Sequence, residues 1–207
     1  MNALARLLSV FFHPLIMPTW LVLILAYFFP WALQPARPDN IHAYVMMVAG
    51  LTFILPAVNM AFLRWYGQIH SYNMPERRQR LRPFFIILVL YSFCTFLFYY
   101  KLNMNFEDNF FRLLFLLNML VLVAWVLTLF VKVSIHSMAA AAIPAILSVL
   151  SRYTEENQLL PAVLVSTVLA GIIMSARLQL QAHTLKEVIW GALAGVVTAT
   201  VAGVELF

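Results

Sequence analysis

Residues 84–100 run for 17 positions without a charged side chain, and residues 113–131 run for 19. Runs of that length constrain the fold more than anything else in this chain. A helix needs about 20 mostly apolar residues to cross the hydrocarbon of a bilayer. In that medium a backbone must satisfy its own hydrogen bonds, which a helix does alone. Comparable segments cover about 15–33, 41–65, 83–100, 110–131 and 159–175, with others ending near Leu150 and Leu206. The expected fold is therefore all-α, a polytopic transmembrane helical bundle of six or seven spans. It would form one integral-membrane domain over 1–207, with an N-terminal helical pair over about 1–65 and a motif-bearing core over about 76–207. Residues 1–12, with the single cation Arg6, predict a short interfacial helix. No small-residue cleavage site follows the first apolar stretch, so a cleavable leader is not expected.

Composition excludes several classes. The chain is 64% hydrophobic and 10% charged, where a soluble domain carries about 25% charged residues. The net charge of +5 suits membrane lipids with anionic headgroups. Basic residues interleaved with spans leave no basic face for nucleic acid. Cys94 is the only cysteine, which excludes an intrachain disulfide and a cysteine metal site.

Three polar segments stand out between the runs: 76–83, 134–137 and 177–187. Two spans separate each from the next. An even number of crossings returns the chain to one face, so all three are expected at one membrane surface. Nine of the 13 basic residues and two of the eight acidic ones fall on that side. By the positive-inside rule it would be cytoplasmic, with the N-terminus on the same face.

The residue types in these segments suit phosphate chemistry. His183 and Glu187 are four apart, on one helical face. A carboxylate on one ring nitrogen fixes the tautomer and leaves the other as a nucleophile. Arg177 carries a planar, permanently charged fork matched to phosphate. His136 lies between Ser134 and Ser137 at the start of a span, and an imidazole titrates near neutrality, as a general acid must. Ser134 is weighed there against ordinary helix capping. Pro83 fits a first helical position, which would put Arg82 at a helix entrance. Most arginines of 77–82 would meet headgroups, with one or two turned inward. A zinc site of His136, His183 and Glu187 is disfavoured, because Arg82 and Arg177 would repel a cation. His13, His42 and His70 have no partner at metal spacing and read as interfacial or loop residues. No metal or cofactor is expected. Gly191 and Gly195, four apart, read as close helix packing. Asn118 and Asn59 read as hydrogen-bonded within the bundle.

Together these segments resemble the three signature motifs of the type 2 phosphatidic acid phosphatase superfamily, which includes the vanadium haloperoxidases. The third motif reads Arg177, His183, Glu187 and Gly191, with glutamate for the family's aspartate. The second, Pro-Ser-Gly-His, is met by Ser134 and His136, with Val133 and Ile135 in place of proline and glycine. The first ends in Arg82-Pro83, but Pro75 stands where the family has lysine, and Arg77 is the nearest cation. The segment from Phe12 to Pro18 also resembles the opening of small bacterial members. The resemblance implies a lipid phosphatase of the bacterial inner membrane, working without metal through a phosphohistidine on His183. Glu187 would orient that ring and His136 would protonate the leaving group. Arg177, Arg82, Ser134 and Arg77 would hold a lipid phosphate. The alternative is a weakened or inactive relative that binds phospholipid or acts in assembly.

Overall fold

The computed structural model describes residues 2–37, 39–69, 77–153 and 158–207. They form eight α-helices, and no strand occurs among them. In chain order these are α1 (Asn2–Phe11), α2 (Met17–Phe28), α3 (Ile41–Trp65), α4 (Arg77–Leu102), α5 (Asn109–Phe130), α6 (Ile135–Leu150), α7 (Leu160–Gln179) and α8 (Leu185–Leu206). Six of them, α3 to α8, are long and apolar enough to cross a membrane, α6 together with a 3-10 turn at its end. The chain is an all-α, multi-pass membrane protein.

The first apolar stretch is not a seventh long span. Its helix α2 has 12 residues, about 18 Å at 1.5 Å per residue, against about 30 Å of hydrocarbon. Pro30 opens a separate 3-10 turn, Pro30–Leu33, because proline supplies no N–H to continue α2.

The chain divides into two compact units, Met1–Met17 with Lys132–Phe207, and Pro18–Val131. In the second unit, α3 contains a π-helical turn at Gly50–Ile54. Pro56 lacks an N–H and frees the Thr52 carbonyl, which accepts the Tyr91 hydroxyl at 3.1 Å. Helices α4 and α5 are joined through Asn118, which donates to Thr95 Oγ1 at 2.7 Å and to the Leu114 carbonyl, and accepts from Ser92. Asn59 differs from expectation: its side-chain nitrogen is buried with no hydrogen-bond partner among the described residues.

Helix α4 begins at Arg77, so Pro83 lies inside it and Arg82 is not at its entrance. Arginine, glutamine and leucine are good helix formers, and they carry the helix N-terminally past the proline. Arg80 is the arginine of this turn that is buried, and Arg82 is exposed. Pro75 and His70 lie outside the described residues.

The first unit is built on close packing of α6 and α8. Gly191, Gly195, Ala199 and Gly203 recur every four residues along α8, all buried. A Cβ added at Gly191 would lie 2.4 Å from the Ser134 carbonyl oxygen, and one at Gly195 2.1 Å from that of Met138. These glycines let the two backbones touch, as the packing interpretation expects. Helix α7 closes on α6 through Ala140, Ala170 and Ile173, with Met17 in the same cluster. On α1, Ala5 and Ser9 face inward, four apart, whereas Leu4, Leu7 and Val10 are exposed.

Candidate functional site

The site forms in the first unit, where four stretches of chain meet. Helix α7 ends with Arg177 in its last turn. Gln181 takes a left-handed conformation at φ 52°. Its N–H bonds the Leu178 carbonyl at 2.9 Å, and the Ala182 N–H bonds the Arg177 carbonyl at 3.2 Å. This pair of bonds closes a helix C-terminus without glycine and turns the chain toward His183.

Helix α8 then opens with a capping box. The Thr184 hydroxyl accepts from the Glu187 N–H at 3.3 Å, and Glu187 Oε2 accepts from the Thr184 N–H at 3.4 Å. The same Oε2 lies 2.6 Å from Nδ1 of His183, and Oε1 lies 3.6 Å from Nζ of Lys132. A carboxylate accepts, so Nδ1 carries the proton and Nε2 is the basic nitrogen of the neutral ring. The His183 ring is buried.

At the start of α6, the Ser134 hydroxyl accepts from the Ser137 N–H and from the Ser137 hydroxyl at 2.9 Å. Both serines are fully buried. Ser134 therefore caps α6, the structural role weighed against phosphate contact above. Its backbone N–H donates to the Glu187 carbonyl at 3.0 Å, which ties the entrance of α6 to the first turn of α8. Gly191, one turn further along α8, is what permits this approach.

His136 and Arg177 share a partner. Nε2 of His136 donates to the Ser9 backbone carbonyl at 3.1 Å, and Nη1 of Arg177 donates to the Ser9 hydroxyl at 3.1 Å. The ring of His13 stands edge-on to that of His136, with centroids 5.4 Å apart. Burial and then the Arg177 charge hold His13 below its ordinary pKa. Its Nδ1 accepts from the Leu15 N–H at 3.3 Å. Among the described residues no three His, Cys, Asp or Glu side chains are placed to hold a metal ion.

One unit thus brings together His183, Glu187, Arg177, His136 and Ser134. Arg77 and Arg82 belong to the other unit. There Arg82 donates to the Gln68 side chain and Arg77 to the Leu129 carbonyl. Ser9, His13 and Lys132 are the site residues that sequence reasoning missed. His13 is no isolated interfacial residue: it packs on His136. Its signal was its place in the segment Phe12 to Pro18, which metal spacing could not interpret. Ser9 was signalled by its spacing of four from Ala5. Thr184 and Glu187, three apart before an apolar run, carried a capping box that is legible in sequence.

The fold and this cluster define a multi-pass membrane protein with a polar, histidine-centred site at the ends of its helices. Comparison of the chain with protein-family models, with curated proteins and with solved structures finds no match.

Proposed function

We propose that this protein is an integral-membrane lipid phosphatase, hydrolysing a lipid phosphomonoester or pyrophosphate through a phosphohistidine. The observation that carries this reading is the contact of the buried His183 ring with the half-buried Glu187 carboxylate at 2.6 Å. Nε2 of His183 attacks phosphorus while the bond from phosphorus to the lipid oxygen breaks. That leaving oxygen takes its proton from Nδ1 of His136, whose ring carries a second proton for this step and keeps its Nε2–H on the Ser9 carbonyl. The Arg177 fork neutralises the phosphoryl oxygens as charge builds on them. Water then attacks the phosphohistidine and gives a proton back to His136, and the N–P bond breaks to release inorganic phosphate and restore the His183 ring. Positioning and charge neutralisation suffice for such transfer, and the scheme uses no metal. The family resemblance alone would add Arg82, Arg77 and Ser134 as phosphate contacts, and none of the three carries this reading. The basic bias of the motif side supports a cytoplasmic site, and the family resemblance supports the inner membrane.

The test is phosphate release from phosphatidic acid, phosphatidylglycerol phosphate and a polyprenyl pyrophosphate in detergent micelles. His183→Ala should abolish it, and undiminished turnover in that variant sinks the reading. A second reading, a non-catalytic phospholipid-binding relative, is favoured by the mutual bond between the buried Ser134 and Ser137 hydroxyls. It predicts binding of these lipids with no turnover on any of them.

A further inference from the structure

Helix α1 ends against the site with its oxygen atoms, not its side-chain bulk. The Phe12 N–H bonds the Leu8 carbonyl and the His13 N–H bonds the Val10 carbonyl. The Ser9 carbonyl between them is taken by His136 instead. A helix C-terminus carries about half a negative charge, so this end attracts the Arg177 guanidinium and an imidazole N–H. Ser9 is buried and gives one oxygen to each: its hydroxyl to Arg177 and its carbonyl to His136. The two bonds fix the Arg177 fork and select the Nε2–H tautomer of His136. His13 braces the His136 ring from the side.

We propose that the end of α1 is a built part of the phosphoryl site, with Ser9 a positioning residue that orients Arg177 and His136 together; this rests on the phosphoryl-transfer reading above. Ser9 is not a plug that substrate must displace. The two roles predict opposite signs. Removing a positioning hydroxyl loosens the clamp and weakens phosphate binding, whereas removing a plug strengthens it.

The experiment compares the full chain in detergent with its Ser9→Ala and Ser9→Thr variants. Each is assayed for KM and kcat on the lipid phosphates above, and for the Kd of inorganic phosphate by calorimetry. Circular dichroism and gel filtration check that each variant is folded. Ser9→Ala should raise KM and the phosphate Kd about tenfold, the effect of one hydrogen bond to a charged group, while kcat falls less. Ser9→Thr, which keeps a hydroxyl, should recover most of the loss. Unchanged or tighter phosphate binding in folded Ser9→Ala overturns the proposal and leaves the phosphatase reading standing. So does a Ser9→Ala defect that Ser9→Thr fails to rescue. If the unaltered chain neither binds phosphate nor turns over, the phosphatase reading falls and this proposal with it.

Discussion

One carboxylate serves three partners at Glu187. It completes the cap of α8, holds Nδ1 of His183 and meets Lys132. Glutamine at this position keeps an acceptor for the cap but loses the charge that stabilises a protonated ring. Glu187→Gln is expected to lower kcat by at least about a hundredfold and to leave the melting temperature little changed, as calorimetry and turnover on one preparation would check. The glutamate side chain is long enough to reach both the cap and the ring. His13 supports a pH prediction. Burial and Arg177 depress its folded pKa, so the unfolded chain takes up the proton first as pH falls. Its contribution to stability is complete above about pH 6.5 and is lost as pH drops through the folded value. The melting temperature should fall from pH 7.5 to pH 5, and His13→Phe should flatten that dependence. The chemistry of His183, Glu187 and Arg177 was legible in sequence because helical spacing sets it locally. The partnership of Ser9 with Arg177 spans 168 positions, and no local pattern encodes it.

Among the elements, the glycine ridge of α8 gives a graded test. The atoms that a new Cβ would strike at Gly191 and Gly195 are backbone atoms of Ser134, the cap of α6, and of Met138 within it, which cannot rotate away. At Gly203 they are the Val149 methyls, at 3.2 and 3.3 Å, which can. Overpacking costs about 1–3 kcal/mol, whereas replacing a helical glycine by alanine gains up to about 1 kcal/mol in propensity. Gly191→Ala and Gly195→Ala should each lower stability by about 2 kcal/mol, and Gly203→Ala should be near neutral. Thermal unfolding of the three variants in one detergent checks the order, and Gly191→Ala should also lose activity because it displaces Ser134. The four-residue spacing announced close packing. It could not announce that Ser134 was the surface packed against. The start of α4 was misjudged for a related reason. Proline marks a helix entrance only when the residues before it are poor helix formers, and Arg77 to Arg82 are not.

At the scale of the molecule, six helices long enough to cross a membrane follow directly from apolar run length. The sidedness of the site can be tested with the chain's own cysteine usage. Cys94 is buried and adds little background, and Lys186, beside the site, is exposed. In Lys186→Cys, a membrane-impermeant maleimide should label the protein in lysed cells and not in intact ones, as a cytoplasmic site requires. Run length and polar spacing are properties of neighbouring residues, so they were enough to define an all-α membrane protein and a His183–Glu187–Arg177 segment. Which distant groups complete that segment depends on how helices pack. The contact of α6 with α8 binds Ser134 to Glu187, and α1 returns to unit one beside residues 132–207 to place Ser9 and His13. Those partners were decided only in three dimensions, because a hydrogen bond between residues far apart in the chain depends on the folded backbone and leaves no periodic trace in the sequence.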